Sequence, residues 1–286
     1  MHSPLVSIII PVYNRSDLIS ETLDSIKAQT FTDWECVLVD DHSTDDSFKV
    51  LEEYSKADPR FRVYSRPNDR VKGGCACRNF GFEQSKGEFI QYFDSDDLML
   101  QNMIKEKVEL LSAGKELDFV VTKMGKFFKN GAFLAPEYSL HSNNFIQDFL
   151  TYQIFFLTPG PLFKRNFLAK FPIHFSEKLE RRQEREFYSR LILSRPRFKV
   201  FDHVHCYRRM HENSIQSNYD EGDLKKHLIS KFRFYDSLRS NSGGKFNQDI
   251  FKYCKPEIIM LWKKSLKNQF WGLAFSYSIM ILKLKF

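Results

Sequence analysis

Ser7-Ile8-Ile9-Ile10-Pro11-Val12 is an almost unbroken apolar run dominated by β-branched residues, and Tyr13-Asn14-Arg15-Ser16-Asp17 follows at once with turn and helix-cap residues. A run of this kind, without polar alternation, is the pattern of a strand covered on both faces, and the residues behind it start a helix. The unit recurs. Cys36 to Val39 is apolar and ends in Asp40-Asp41, after which Ser43-Thr44-Asp45-Asp46 can cap a helix carrying Phe48, Val50, Leu51 and Tyr54. Phe61 to Ser65 reads as a third strand and Cys75 to Ser85 as a helix. Glu88 to Phe93 reads as a fourth strand running into Asp94-Ser95-Asp96-Asp97. Leu100 to Leu111 then has a helical pattern, and Asp118 to Thr122 an extended one. The alternation predicts an α/β fold: an open, mostly parallel sheet flanked by helices. Such sheets bind ligands beyond the carboxyl ends of their strands. Tyr13-Asn14, Asp40-Asp41 and Asp94 to Asp97 each follow a strand directly, so three distant loops are expected to line one crevice.

The second half is less regular. Lys123 to Phe133, with Asn130-Gly131 inside it, predicts a hairpin, and Thr158-Pro159-Gly160-Pro161 a turn. Arg182 to Leu193 reads as helix, Phe198 to Tyr207 as strand and Leu224 to Leu238 as helix. Ser240-Asn241-Ser242-Gly243-Gly244 reads as a linker before two helical stretches rich in Phe, Trp and Lys. This sets out a domain over 1–240, with a ligand-binding half (1–122) and a second half (123–240), followed by a helical C-terminal extension (241–286).

In a chain of 286 residues, 42% hydrophobic and 28% charged content supplies a packed core and argues against wholesale disorder. The five cysteines, Cys36, Cys75, Cys77, Cys206 and Cys254, are odd in number and form no Cys-x-x-Cys pair, which indicates neither a disulfide framework nor a cysteine zinc site. A reducing, cytoplasmic setting is expected, since Met1 to Ser7 has no basic region of the kind that opens a secretory signal. The net charge of +7 is local: Lys252 to Phe286 carries seven lysines against Glu257, which leaves +1 for everything before it. Lysines bordering apolar and aromatic residues fit an anionic membrane surface at least as well as nucleic acid, and the membrane is the expected partner. The fifteen uncharged residues between Lys267 and Lys283 are too few to span a bilayer, so the expectation is a peripheral position on the inner face of the cell membrane. An oligomer contact is the other use such a tail could have.

The residue types at the strand ends suggest chemistry. A hard divalent cation takes one or two carboxylates from a protein and fills its other positions with water and phosphate oxygens, so Asp94-Ser95-Asp96-Asp97 is a candidate cation site. Aspartates there also serve as helix caps. Asp41 can accept a hydrogen bond from a nucleobase N–H, although Asp-x-Ser-Thr-Asp commonly caps the following helix. Arg78, after Gly73-Gly74, can place a cation near a diphosphate, and equally can be a solvated surface residue.

Taken together, residues 7 to 15, 39 to 47, 77 to 81 (Cys-Arg-Asn-Phe-Gly) and 86 to 97 (Lys-Gly-Glu-Phe-Ile-Gln-Tyr-Phe-Asp-Ser-Asp-Asp) resemble family 2 glycosyltransferases in order and spacing. The resemblance covers the first 100 residues closely and 158–216 more loosely. It implies a GT-A fold, a nucleotide-sugar donor (a UDP-sugar), a divalent metal (Mn²⁺ or Mg²⁺) and inversion at the anomeric carbon. By position it sets the base and ribose against Pro11, Tyr13 and Asp41, with Val12 and Asn14 in the same donor segment. It puts Asp94 on the ribose with Ser95 beside it, Asp96 on the metal, Arg78 near the diphosphate, and Asp97 holding the loop. Arg182-Gln183-Glu184-Arg185-Glu186-Phe187-Tyr188-Ser189-Arg190-Leu191 resembles the family's second motif, with Glu184 at the catalytic base position. The chain departs from that motif by carrying Glu where Asp is usual and Gln183 where an acid is frequent, which leaves Glu186 as the competing base. On a helix the two lie about 200° apart, so only one can serve. His211-Glu212-Asn213-Ser214 resembles a late segment in which His211 reaches the metal or the diphosphate. The expected activity is hexosyl or N-acetylhexosaminyl transfer to a glycan or lipid-linked polysaccharide precursor. A nucleotidyltransferase, or an inactive membrane-associated assembly protein on the same fold, is the alternative.

Overall fold

The computed structural model describes residues 4–114, 116–179, 181–210 and 224–285. The run that opens the chain forms β1 (Val6–Val12), with α1 (Ile19–Lys27) behind it. There follow β2 (Trp34–Asp40), α2 (Ser47–Ala57), β3 (Phe61–Ser65), α3 (Gly74–Gln84) and β4 (Phe89–Tyr92). These four strands are all parallel, in the order β3-β2-β1-β4. β1 lies between β2 and β4 and is covered on both faces, which is why Ile8, Ile9 and Ile10 have no exposed surface. Each such side chain contributes about 1.5–3 kcal/mol on burial, so the continuous apolar run is the energetic centre of this sheet.

Beyond β4 the sheet becomes mixed. The chain continues through β5 (Leu98–Met99), α4 (Met103–Ala113), β6 (Phe119–Phe128), β7 (Phe133–Leu134), α5 (Phe145–Leu150), β8 (Pro161–Lys164) and α6 (Arg165–Leu168). It then runs through α7 (Gln183–Leu193), β9 (Phe198–Met210), α8 (Leu224–Asn241), α9 (Asn247–Lys267) and α10 (Trp271–Lys285). β8 pairs antiparallel with both β4 and β6, β6 pairs parallel with β9, and β5 pairs antiparallel with β9. The Asn130-Gly131 hairpin forms between β6 and β7, with Gly131 at φ 83°. The helix expected from Leu100 starts only at Met103. Leu100 instead donates its N–H to the His205 carbonyl at 2.9 Å as the β5 pairing ends. Pro161, read as part of a turn, opens β8, a strand position where a missing N–H is tolerated.

The chain forms two compact units that interleave along the sequence. The first comprises Met1–Leu140, Phe156–Glu177 and Arg197–Glu212 and holds the whole sheet. The second comprises His141–Phe155, Lys178–Pro196 and Asn213–Phe286. Its core is built on Leu193, Leu228, Tyr235, Ile250, Ile258 and Tyr277. Within it, Gly243 and Gly244, both at positive φ, turn the chain from α8 into α9. Among the described residues no helix is long and apolar enough to cross a membrane.

Candidate functional site

In the first unit β1, β2 and β4 end at one edge. The Asp41 N–H donates to the Val12 carbonyl at 2.8 Å, and the Phe93 N–H to the Ile9 carbonyl at 3.0 Å. The loops that leave these ends are tied to each other. Asn14, at a left-handed φ of 49°, donates its N–H to Ser43 Oγ at 3.0 Å, and its Oδ1 accepts from the Thr44 N–H at 2.8 Å. Asp45 receives the N–H groups of Ser16 and Ser47. Burial opposes its ionisation, but the hydrogen bonds from Ser47 and Ser16 prevail and hold its carboxyl at about 2. Arg15 lies 3.5 Å from Asp96, and Arg78 donates to Asp94 Oδ1 at 2.6 Å. The structure therefore brings the sequence-predicted Pro11, Val12, Tyr13, Asn14, Asp41, Arg78, Asp94, Ser95 and Asp96 to one edge of the sheet.

The side chains there differ in what they have left to offer. Tyr13 is 38% exposed, and the Lys72 ammonium lies 4.0 Å from its ring centroid. Asp41 is buried and ion-paired with Arg66, whose Nη1 also donates to the Pro67 carbonyl at 3.0 Å. Arg78 fits because Gly74 has no side chain: a Cβ there would come within 3.2 Å of Arg78 Nη1. Arg15 Nε and Asp40 Oδ1 are shut off from solvent and have no hydrogen-bond partner among the described residues. Asp40 Oδ2 accepts the Ser43 N–H at 2.9 Å, and Arg15 Nε is the atom of the Asp96 ion pair.

The acidic tetrad divides by burial. Asp97 is buried, and its Oδ1 accepts the Arg209 N–H at 3.1 Å, which joins the loop to β9. Arg209 Nε donates to the Asp96 carbonyl at 3.1 Å, and its Nη2 to Glu21 at 2.6 Å. Burial, and then the charges of Asp94 and Asp96, push the Asp97 carboxyl well above the usual carboxylate range. Asp94 and Asp96 keep partly exposed carboxylates. Two partly exposed carboxylates at one strand end are hard oxygen donors, the ligand type that Mg²⁺ and Mn²⁺ take.

Sequence reasoning missed Arg66, Arg209 and above all Lys107. Lys107 is fully buried and donates to Gln91 Oε1 at 3.0 Å and to the carbonyls of Pro159 and Gly160 at 2.6 and 2.9 Å. Burial pushes its ammonium down to about 7. Its three bonds fasten the turn before β8 to α4 and β4. The signal was present: Met103, Ile104, Lys107, Val108 and Leu111 form one helical stripe, so a lysine stands where the period requires an apolar residue.

In the second unit Glu184 and Glu186 stand in the first turn of α7. Glu186 is fully buried and bonded to Arg190 Nε and Nη2 at 2.9 and 3.1 Å and to Asn241 Nδ2 at 3.1 Å. Glu184 is half-buried. His211 lies outside the described residues.

Residues 7–170 match the family model for glycosyl transferase family 2. Over 112 residues the chain is 36% identical to the Escherichia coli UDP-Glc:alpha-D-GlcNAc-diphosphoundecaprenol beta-1,3-glucosyltransferase WfgD, which covers 39% of this chain and 42% of that one. The poly(ribitol-phosphate) beta-N-acetylglucosaminyltransferase TarS of Staphylococcus aureus is 26% identical over 263 residues, or 88% of this chain and 42% of TarS. The crystal structure of TarS 1–349 in complex with UDP-GlcNAc superposes with a TM-score of 0.65 at 21% identity, over 87% of this chain and 73% of that one. The mannosyltransferase PcManGT of Pyrobaculum calidifontis, in complex with GDP-Man and Mn²⁺, superposes with a TM-score of 0.57 at 14% identity, over 99% of this chain and 86% of that one. The chain spans well under half the length of WfgD and of TarS.

Proposed function

Because the chain belongs to glycosyl transferase family 2 and has the GT-A fold, we propose that it transfers a sugar, with inversion, from a UDP-sugar to a hydroxyl of a glycan or lipid-linked polysaccharide precursor. The observation that carries this reading is the strand-end edge itself, where Asp94 and Asp96 stand beside Arg78 and Arg15 in loops braced by Asn14 and Asp45. Tyr13 offers a ring face for the base, Asp41 an acceptor for the uracil N–H, and Asp94 an acceptor for the ribose. Asp96 holds the divalent cation, Mn²⁺ or Mg²⁺, which supplies Lewis-acid neutralisation of the diphosphate. The donors named for the two solved structures, UDP-GlcNAc and GDP-Man, are both nucleotide-sugars, and WfgD is named for a diphosphoundecaprenol acceptor.

In this mechanism Glu184 takes the acceptor hydroxyl proton as that oxygen attacks the anomeric carbon. The bond from that carbon to the diphosphate breaks with its electron pair on the departing oxygen, and the Arg78 guanidinium helps to hold the charge. Glu184 is favoured over Glu186 because it falls at the base position of the family's second motif, whereas the fully buried Glu186 carboxylate accepts from Arg190 and Asn241. His211 is assigned a supporting place at the metal or diphosphate, on the strength of the sequence resemblance alone. Incubation with Mn²⁺ and a panel of nucleotide-sugars is expected to release UDP from at least one donor when undecaprenyl-linked acceptors are supplied. Release of pyrophosphate, or nucleotide binding with no turnover on any acceptor, would reject the reading.

The membrane surface belongs to the same proposal. α10 is apolar on both sides: Ala274, Tyr277, Met280 and Leu284 face the core of their unit, whereas Trp271 (64%) and Phe275 (67%) are exposed together with Ile279 and Leu282. The second four fall within about 80° of one helix face at 3.6 residues per turn. Exposed Lys263, Lys264, Lys267 and Lys283 accompany them. An apolar stripe with basic neighbours fits the interface of an anionic bilayer, which would place the protein on the cytoplasmic face. Replacing Trp271 and Phe275 together by serine is expected to weaken sedimentation with phosphatidylglycerol vesicles ten-fold or more, because each buried aromatic contributes about 1.5–3 kcal/mol. Undiminished binding by the double variant would remove α10 from the membrane contact.

A further inference from the structure

We infer that Glu106, His203 and His205 form a second cation site, of the transition-metal class represented by Zn²⁺ and distinct from the donor edge. One ligand atom from each side chain lies within 4.8 Å of the other two. His205 Nε2 is 2.8 Å from Glu106 Oε2, and His203 Nδ1 is 3.6 Å from the same oxygen. The two imidazole rings stand 5.7 Å apart at 82°.

The backbone makes an unusual detour to bring them together. β6 and β9 run in parallel register until Thr122 pairs with Phe201, but the next residue, Lys123, pairs with Val204, and Met124 with Cys206. Asp202 and His203 are therefore extra residues at the first shift, and His205 is the extra residue at the second. Bulges are uncommon in parallel pairs, and they re-aim side chains, often next to functional sites. Asp202 is taken up by Lys123 at 2.8 Å, which leaves the two histidines turned toward Glu106 of α4. A structural tie between α4 and β9 needs only the Glu106–His205 bond. His203, 63% exposed, is not required for that tie and completes a set of three ligands.

Two imidazole nitrogens and one carboxylate form a three-ligand set that leaves a coordination position open on Zn²⁺. Nitrogen ligands select zinc, cobalt or copper over Mg²⁺ and Ca²⁺, which prefer oxygen, so this site, with two imidazoles among three ligands, and the aspartate-built donor edge differ in the metal they favour. His205 is buried at the back, whereas Glu106 and His203 are accessible, which gives a cation a way in. The two places are also apart in space. Arg209, which holds the Asp96-Asp97 loop, lies four residues beyond His205, or about 13 Å along a strand.

The test uses the untagged 286-residue chain, stripped with EDTA and titrated calorimetrically with Zn²⁺, with Co²⁺ absorption as a second readout. The parent is expected to bind one equivalent at micromolar concentration or tighter. His203→Ala, at an exposed position that leaves the fold intact, is expected to weaken this ten-fold or more and to bleach the Co²⁺ bands, with Mn²⁺-dependent UDP binding unchanged. Glu106→Gln is expected to do the same, whereas Asp96→Asn is expected to retain the Zn²⁺ affinity of the parent. Absence of a stoichiometric Zn²⁺ equivalent in the parent, less than a ten-fold loss in His203→Ala, or loss in Asp96→Asn would each overturn the assignment.

Discussion

Asp96→Asn protein is expected to bind UDP equally weakly in Mn²⁺ and in EDTA, with the metal-dependent gain in affinity reduced at least 100-fold, or about 2.7 kcal/mol. The substitution keeps the shape of the side chain and removes its charge. Its cost to the fold is small, because the ion pair from Asp96 to Arg15 is 3.5 Å long and partly exposed, a class worth about 0–1 kcal/mol. The backbone carbonyl of Asp96, which Arg209 uses, is untouched. Calorimetry with UDP in the presence and absence of Mn²⁺, beside a thermal melt, separates the two effects. An unchanged metal dependence would exclude Asp96 as the ligand, and a large fall in melting temperature would make it a structural residue instead. The neighbouring carboxyl provides the contrast: Asp97 is buried against Arg209.

Glu184→Gln is expected to bind the donor normally and to lose a factor of about 10²–10⁴ in transfer rate, the usual contribution of a positioned general base. The loss of rate is expected to exceed any loss of stability. Glu186→Gln should behave in the opposite way. Arg190 is 1% exposed and Glu186 fully buried, so removing the carboxylate leaves a buried guanidinium without its counter-charge, at a cost of about 3–5 kcal/mol. Single-turnover rates and melting temperatures of the two variants therefore distinguish a base from a structural acid. A near-normal rate in Glu184→Gln would place the base elsewhere in the chain.

The parallel half of the sheet could be read from the chain because its causes are local. Ile8, Ile9 and Ile10 announce a strand covered on both faces, and each such run stops where turn residues and aspartates begin. β3 runs from Phe61 to Ser65, the bounds read from the chain. The antiparallel half was harder to see. β8 is four residues long and begins with a proline, and β5 is two residues long. Strands so short carry no period of their own and exist because neighbours offer them hydrogen bonds. The bulges in β9 are equally silent in the sequence, since nothing in Asp202-His203-Val204-His205 says which residues will be left over when register is taken up with β6.

Sequence by itself identified which acids and bases follow strands and which helix carries the pair of glutamates, because strand ends and helix starts are written in nearest-neighbour patterns. Tertiary structure alone decided which of them are already spent: Asp97 on an arginine 112 residues away, Glu186 on Arg190 and Asn241, and Lys107 on two carbonyls of a turn 52 and 53 residues further on. Charge compensation is a matter of distance in space, and a linear pattern fixes distance only within a turn or two of helix or along one strand.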